Sequence, residues 1–278
     1  MGGLGNQLFC YAAARSLALK KNAELRIDHL SGFANDPFER SYILSNYNIA
    51  QKLVGSNDRF VRLGRYQRGL VTRVSKLIPY PVRSYLAEQG SDFDQQLLDL
   101  NFRRNVYLDG YWQSDCYFKD AEFQIRNDLK LKAELPSSIL EISHHIDSVN
   151  AVAIHARWTQ IAHPLDLDYY QKAIIHFQKK ISNPHFLIFS DSVDWVQNNL
   201  NLSDPHTFVT DGQSDQTGCT HLELMRHCKH FIIANSTFSW WGAWLGNHPD
   251  KIVICPAPFA NWGHEGYAPR NWIQIENN

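Results

Sequence analysis

The second half of this chain alternates apolar strands with helices, and this alternation restricts the fold more than any other feature. The predicted order is strand Ala151–His155, helix Tyr169–Ile181, strand Phe186–Phe189, helix Val193–Leu200, strand His206–Val209, helix His221–His227, strand Phe231–Ala234, helix Phe238–Leu245 and strand Ile252–Cys255. Such alternation is typical of parallel β-α-β units joined by right-handed crossovers. We therefore expect a doubly wound α/β sheet whose ligand binds beyond the carboxyl ends of its strands.

Polar side chains follow the predicted strands at that edge. His155 and Arg157 come after the first strand, Ser190 and Asp191 after the second, and Asn235–Thr237 after the fourth. An arginine at this place suits a phosphate group, because the guanidinium presents a rigid fork of donors and stays charged. Two structural roles fit the same positions equally well, a surface ion pair for the arginine and a hydrogen-bonded core position for the histidine.

The stretch Ile232–Trp244 runs from an apolar strand through amides and hydroxyls into an aromatic helix. Asn235–Thr237 predict a helix N-cap, and the N–H groups of the first turn would form a site for an anion. The alternative is that the junction binds no ligand, which is the more frequent case for a strand followed by a capped helix. Ser190 and Asp191 fit either a cap of the next helix, where Asp194 also fits, or hydrogen bonds to a ribose or base.

The chain opens with a glycine turn, Gly2–Gln7, that leads directly into an amphipathic helix. A turn of this kind normally follows a strand, so we expect a first strand that this sequence lacks; a sheet that begins at Ala23–Ile27 is the alternative. Asn6 is predicted to cap the helix and Gln7 to present its amide to a ligand.

The glycine turn does not predict a nicotinamide cofactor. Gly3 and Gly5 begin a dinucleotide fingerprint, but Leu8 occupies the third glycine position. The sequence also lacks a Walker A lysine motif, an HExxH pair and a nucleophile elbow.

The length of 278 residues suits two domains, which we place at 1–145 and 146–278. Pro136 and the polar stretch His144–Asn150 mark the boundary. The first domain contains a segment of helices and loops over about 28–95. A strand Asn105–Leu108, a loop Gly110–Ser114 and a helix from about Asp115 to Leu129 follow.

Charge and cysteine content exclude several classes of protein. With 27 basic and 28 acidic side chains and no basic run, nucleic acid is not an expected partner. The five cysteines form no CxxC pair and no metal-ligand spacing, so we expect reduced, buried thiols. No apolar run reaches the roughly 18 residues of a membrane span, and no signal peptide is recognisable. We expect a cytosolic protein that can also associate peripherally with the inner membrane.

The motifs together resemble bacterial α-1,2-fucosyltransferases, which are relatives of the animal blood-group H enzymes. The resemblance covers nearly the whole chain. The matching segments are Gly2–Gln7, Tyr11–Arg15, Gly110–Ser114, Phe189–Asp191 with Trp195, and above all Cys228–Trp244.

This resemblance implies a GT-B-like α/β fold, in which two Rossmann-like halves face each other across a cleft. It implies inverting transfer of fucose from GDP-fucose to the 2-hydroxyl of a terminal galactose-type sugar in surface-glycan synthesis, with no metal or other cofactor. The nucleotide sugar would bind mainly to the second half and the glycan acceptor to the first. The implied catalytic residues are Arg157 and His155, and the implied donor-binding residues are Gly5, Asn6, Gln7, Ser190, Asp191, Asn235, Ser236, Thr237, Ser239 and Trp240.

One segment departs from the family pattern. The family motif reads His-x-Arg-Arg-x-Asp, whereas Trp158 replaces the second arginine and Gln160 the aspartate in this chain. Trp158 would stack on the guanine or simply pack, and a relative that binds GDP or sugar without catalysis is the alternative function. No catalytic base is assigned, although His155, His163 and Asp166 have suitable chemistry.

Overall fold

The computed structural model describes residues 2–33, 36–49, 52–58, 60–61, 63–102, 104–158, 165–200, 202–210, 217–258 and 266–277. The chain divides into two compact units. The first unit comprises Met1–Lys132 and His264–Tyr267, and the second comprises Ala133–Gly263 and Ala268–Asn278. Within the described ranges, no helix has both the length and the apolar character needed to cross a membrane.

The second unit alternates strands and helices along its whole length. Its elements are α5 (Ser137–Ser148), β5 (Asn150–Ala156), α6 (Leu167–Lys180), β6 (Pro184–Ser190), α7 (Val193–Asn199), β7 (His206–Phe208), α8 (Thr217–His227), β8 (His230–Ile232), α9 (Thr237–Leu245), β9 (Val253–Ala257) and β10 (Ile273–Glu276). These elements confirm the predicted alternation.

One parallel sheet of six strands forms the centre of the second unit. Its order is β10-β9-β8-β5-β6-β7, so the chain winds outward from β5 through β6 and β7 on one side and from β8 through β9 and β10 on the other. The order reverses between β5 and β8, which are neighbours in the sheet although α6, β6, α7, β7 and α8 separate them in sequence. Ligands of open α/β sheets bind at such a switch point.

The core of the second unit explains why its strands are nearly continuous apolar runs. Both faces of β5 and β6 are covered, because Val152 and Phe186 on one face and Ala153 and Leu187 on the other are all inaccessible to solvent. From α6, Phe177 among others packs against the first of these faces. A central parallel strand buried on both sides requires this composition.

Two elements of the second unit were not predicted. Only one stripe of α5 is buried, formed by Ile139, Ser143 and Ile146, so its polar surface was interpreted as a domain boundary. The edge strand β10 is mostly exposed and carries a weak apolar pattern. The observed division before Ala133 lies N-terminal to the predicted boundary after residue 145 and places all of α5 in the second unit.

The first unit has short strands in two separate parallel pairs. Its helices and strands are α1 (Leu4–Lys20), β1 (Arg26–Ile27), β2 (Lys52–Leu53), α2 (Arg65–Lys76), β3 (Tyr85–Ala87), α3 (Gln95–Asp99), β4 (Tyr107–Asp109) and α4 (Glu122–Asp128). In the described residues β1 pairs with β2 and β3 pairs with β4, and each pair is parallel.

The predicted helix from Asp115 to Leu129 is wrong in its first part. Two 3-10 turns, Asp115–Tyr117 and Lys119–Ala121, precede α4. The Ser114 hydroxyl accepts a hydrogen bond from the Cys116 N–H, and Phe118 is fully buried with an extended φ of −139°. This φ lies outside the helical range, so a continuous α-helix cannot pass through Phe118.

The cap of α1 also differs from the prediction. The N-cap residue is Gly3, so Asn6 lies inside the first turn and cannot cap the helix. Its Oδ1 instead accepts a hydrogen bond of 3.0 Å from Gln113 Nε2.

All five cysteines are free, as the sequence predicts, but Cys10 and Cys116 are only partly buried.

Candidate active site

The switch point of the sheet brings together two residues that are distant in sequence. Arg157 follows β5 and Ser236 follows β8, and Arg157 Nη1 donates a hydrogen bond of 3.2 Å to Ser236 Oγ. The position of both residues follows from the pairing of β5 with β8. The sequence pattern had predicted polar groups at these strand ends, and the structure confirms that they meet.

Asp191 approaches Arg157 from the end of the neighbouring strand β6. Its Oδ2 lies 3.9 Å from Arg157 Nε, and its Oδ1 accepts a hydrogen bond of 2.8 Å from the Trp158 N–H. About 30% of the arginine side chain remains exposed. The guanidinium is therefore oriented by two polar partners and still open to a ligand.

His155 is buried beside this arginine. Its Nδ1 is hydrogen-bonded to Ser239 Oγ, which also accepts a hydrogen bond of 3.2 Å from the Ala234 N–H. Burial lowers the pKa of His155 to about 3, and the positive charge of Arg157 adds to the effect. The imidazole is uncharged at neutral pH and links the end of β5 to the first turn of α9.

The first turn of α9 faces the same switch point. Ser236 is its N-cap, and the Ser236 Oγ accepts a hydrogen bond of 3.3 Å from the Phe238 N–H. Thr237 is the first helical residue. The N-terminus of a helix carries a partial positive charge, so this turn and Arg157 together favour a negatively charged group.

Asn235 adds an acceptor to the site. Its Oδ1 is buried and has no hydrogen-bond partner in the described part of the chain. A buried acceptor without a partner costs about 1–3 kcal/mol. A hydroxyl group of a bound ligand would remove this cost.

Two of the predicted donor-binding residues belong to the core of the second unit. The Ser239 and Trp240 side chains are inaccessible to solvent. Trp240 packs on Trp241, Trp244 and Trp272, with ring centroids 5.1–6.1 Å apart. Neither side chain has surface available for contact with a ligand.

Ser190 ends β6 and shapes the turn into α7. Its Oγ accepts a hydrogen bond of 3.0 Å from the Ser192 N–H. The N-cap of α7 is Ser192, so the predicted cap Asp194 lies instead within the first turn, where its charge still complements the helix dipole.

Trp158 packs on an aromatic neighbour. Its indole stacks on that of Trp195 with ring centroids 3.9 Å apart and planes at 19°. Gln160 and His163 lie outside the described residues. Asp166 is the N-cap of α6 and donates its main-chain N–H to Asn277 Oδ1 at 2.8 Å.

The remaining predicted residues, Gly5, Asn6 and Gln7, lie in α1 of the first unit. Gln7 is buried, and its Nε2 donates to the carbonyls of Gly2 and Ser41. Its Oε1 accepts a hydrogen bond from the Ile43 N–H. The amide thus ties α1 to the segment around residues 41–43.

Sequence reasoning missed how Asp191 acts. Its carboxylate accepts a hydrogen bond from the main-chain N–H of Trp158 and approaches Arg157, which places a negative charge beside this arginine. The sequence signal was the position of Asp191 at the end of β6, which lies next to β5. A position at a strand end does not show which residues the side chain will contact.

A family model matches most of this chain. The family described as Glycosyl transferase family 11 matches residues 80–276. The chain belongs to glycosyl transferase family 11. The match includes Arg157, Asp191 and the first turn of α9, and the resemblance drawn from the motifs is confirmed.

Two bacterial relatives of this family 11 chain are similar over almost their whole length. An alpha-1,2-colitosyltransferase of Escherichia coli is 28% identical over 99% of this chain and 97% of its own length. The O-antigen biosynthesis glycosyltransferase WbnK of Escherichia coli is 30% identical over 99% and 98%.

A solved structure supports the fold class. The fucosyltransferase NodZ from Bradyrhizobium has a TM-score of 0.54 and 17% identity, covering 94% of each chain. The GT-B-like fold class is confirmed by this likeness and by the parallel six-stranded sheet.

Proposed function

We propose that this family 11 chain transfers fucose from GDP-fucose to the 2-hydroxyl of a terminal galactose-type sugar, with inversion at the anomeric carbon, during synthesis of a surface glycan. The observation that carries the proposal is Arg157, held at the switch point between Ser236 and Asp191 and still open to solvent. The names of the two bacterial relatives, an alpha-1,2-colitosyltransferase and an O-antigen biosynthesis glycosyltransferase, support the reaction class.

The leaving group explains why an arginine is needed. When the acceptor oxygen bonds to the anomeric carbon and the bond to the diphosphate breaks, negative charge grows on the departing GDP. Arg157 and the N–H groups at the start of α9 would stabilise that charge. Since these groups neutralise the diphosphate, we propose that transfer requires no metal ion.

We propose that His155 positions α9 and is not the catalytic base. A base works best with a pKa near the operating pH, whereas the pKa of His155 is lowered to about 3. Its Nδ1 is already hydrogen-bonded to Ser239.

The buried Oδ1 of Asn235 would accept a hydrogen bond from a hydroxyl group of GDP-fucose. Trp240 supports the first turn of α9 from the core.

The altered motif leaves an alternative, a protein that binds GDP or sugar but does not catalyse transfer. Trp158 replaces an arginine of the family motif and stacks on Trp195. Asp191 favours retained catalysis, because its carboxylate approaches Arg157 and can orient it without an acid at position 160.

The decisive experiment measures GDP release from GDP-fucose, with and without a panel of β-galactosides and with a chelator present throughout. Release that depends on an acceptor supports the proposed transferase. Arg157→Ala should reduce this release at least about 100-fold, since a charged contact in the transition state is worth about 3 kcal/mol. The matched control is Arg270→Ala, an exposed arginine of the second unit.

Other outcomes separate the alternatives. Binding of GDP without release in the presence of any acceptor would favour the non-catalytic protein, provided that Trp158→Arg combined with Gln160→Asp restores release. GDP-colitose in the same assay tests a change of donor, which the colitosyltransferase relative suggests.

The proposed site of action is the cytosolic side of the inner membrane, with peripheral association and no nucleic-acid partner. Fractionation of cells that produce the intact chain tests this: recovery in the membrane fraction that is lost in high salt supports peripheral association.

A further inference from the structure

Helix α2 of the first unit presents its apolar side chains to solvent. Tyr66, Leu70, Val74 and Leu77, the last of which directly follows the helix, recur at intervals of three or four residues and therefore lie on one side of it. Tyr66 is 94% exposed and Leu77 85%, and Leu70 and Val74 are each more than half exposed. A surface helix normally turns its apolar stripe toward the core. In α2 this arrangement is reversed, and these four residues form the α2 stripe.

The inward side of α2 is polar instead. Ser75 is buried, and its Oγ donates a hydrogen bond of 2.9 Å to the Thr72 carbonyl. Arg68 Nη1 lies 3.0 Å from Asp109 Oδ1, and Arg68 Nη2 donates a hydrogen bond of 3.3 Å to Tyr107 Oη. Because these contacts tie α2 to β4, the α2 stripe is left available for a partner outside the chain.

The charged residues around α2 are all basic. Between Asp58 and Glu88 the sequence has seven arginine and lysine residues and no acidic residue. Over the whole chain the two kinds nearly balance, with 27 basic and 28 acidic side chains. Arg73 and Lys76 are exposed, and their helical spacing places both along the same border of the α2 stripe. The outer side of α2 is therefore apolar with a positively charged border.

An anionic lipid bilayer is complementary to both parts of this surface. A helix that lies flat on a bilayer buries its apolar face about 5–10 Å into the boundary between headgroups and acyl chains. Basic residues on the border of the helix then contact the negative headgroups, and tyrosine is enriched at this depth. The α2 stripe and its basic border have the composition that this placement requires.

Other occupants fit the surface less well. Nucleic acid would pair with Arg73 and Lys76 but would leave the α2 stripe in water. A second copy of this chain, packed symmetrically on the same face, would bring the positive charges of the two copies together. The combination of apolar and positive surface therefore favours a bilayer over either of these partners.

We propose that α2 docks this chain on an anionic bilayer, with the α2 stripe at the acyl boundary and with Arg73 and Lys76 on the headgroups. Ile78 and Val82 are exposed as well and add apolar surface just beyond the helix. The inference rests on the peripheral membrane association proposed above, and it names the surface that makes the contact.

Flotation with lipid vesicles tests the charges. The purified chain is mixed with vesicles of phosphatidylcholine and phosphatidylglycerol in equal amounts, or of phosphatidylcholine alone. We expect binding to the anionic vesicles that weakens as salt is added, and much weaker binding to the neutral ones. Arg73→Gln with Lys76→Gln should weaken binding about 20-fold, since each basic residue near such a surface contributes about fivefold. Lys179→Gln with Lys180→Gln, an exposed pair on α6, is the matched control and should bind as the wild type does.

A second pair of variants tests the α2 stripe. Tyr66→Ser with Leu77→Ser removes its two most exposed members and should weaken binding to the anionic vesicles about tenfold or more. Phe38→Ser with Phe123→Ser removes two similarly exposed residues outside α2 and should leave binding unchanged. Because all four side chains are exposed, both variants should keep the wild-type urea midpoint.

The inference is overturned if the wild-type chain does not float with anionic vesicles, or if it floats and both α2 variants do so equally well. In the second case peripheral association would persist through another surface. A concentration-dependent dimer, detected by light scattering and abolished by Tyr66→Ser with Leu77→Ser, would show that a second copy occupies the stripe instead. Flotation needs neither GDP-fucose nor an acceptor, and GDP release is measured without vesicles, so failure of docking and failure of transfer are separate results.

Discussion

At the scale of single residues, the neutral histidine beside Arg157 makes the second unit sensitive to acid. His155 has a pKa of about 3 when folded and about 6.5 when unfolded. Between these values the unfolded chain binds a proton that the folded chain does not. The contribution of neutral His155 to the free energy of unfolding is therefore complete above pH 6.5. It decreases by about 1.4 kcal/mol per pH unit as the pH falls toward 3.

The measurement is urea unfolding of the intact chain at pH 7 and pH 5. His155→Asn keeps a polar group near Ser239 without a titrating ring. Between pH 7 and pH 5 this variant should therefore lose about 2 kcal/mol less unfolding free energy than the wild-type chain. His144→Gln, an exposed change on α5, should keep the wild-type loss. An identical loss in the His155 variant would contradict the pKa shift.

Arg157 tests whether geometry or charge alone matters at the switch point. Arg157→Lys keeps the positive charge but removes the fork that contacts Ser236 and approaches Asp191. We expect kcat to fall about 10- to 100-fold, less than for Arg157→Ala, with an unchanged urea midpoint. Arg270→Lys should have wild-type kcat. Full activity of Arg157→Lys would show that a point charge is sufficient.

At the scale of elements, two serine N-caps in the second unit give a matched comparison. The Ser236 hydroxyl accepts from the first turn of α9, whereas the Ser192 hydroxyl makes no such bond to α7. Ser236→Ala should therefore cost about 1 kcal/mol of unfolding free energy, and Ser192→Ala close to none. Equal costs measured by urea unfolding would contradict the cap assignment.

The two glycines of α9 and its C-cap differ in what a methyl group would meet. A Cβ at Gly242 would lie 2.5 Å from Met225 Cε, at the end of a flexible side chain. A Cβ at Gly246 would overlap the Phe231 ring, whose Cε2 would be 2.7 Å away on the buried strand β8. Gly246→Ala should destabilise by about 1–3 kcal/mol and Gly242→Ala by less, as thermal unfolding can measure. The reverse order would show that Phe231 yields more easily than Met225.

The elements of the second unit were predictable because the apolar runs of its strands and the amphipathic pattern of its helices are strong. β10 and α5 were missed since an exposed edge strand and a helix with one buried stripe leave little pattern. In the first unit, strands of two or three residues are too short for any periodicity. Their pairing depends on contacts distant in sequence.

The candidate site was predictable to the level of strand ends. Topology places Arg157 near Ser236 once the order of the sheet is known. The stack of Trp158 on Trp195 and the bond between Asp191 and the Trp158 main chain depend on local loop geometry, which strand and helix patterns do not encode. The cap prediction for Asn6 is wrong because the helix begins two residues before it, at Leu4.

At the scale of the whole molecule, the two units should respond differently to nucleotide. If GDP binds at the switch point, it should slow hydrogen exchange around residues 155–158 and 235–239 and leave Tyr85–Ala87 unchanged. At 100 times its Kd, GDP should stabilise the unit that binds it by about 2.7 kcal/mol. Exchange mass spectrometry with and without GDP checks this. Protection confined to the first unit would move the donor site there.

The distribution of tryptophan has an optical consequence. Of the seven tryptophans in the described residues, only Trp112 lies in the first unit, and four of the others form the cluster around α9. Intrinsic fluorescence therefore comes almost wholly from the second unit. A melting curve recorded by tryptophan emission therefore reports mainly the unfolding of the second unit. Unfolding of the first unit must be followed by circular dichroism or by tyrosine fluorescence.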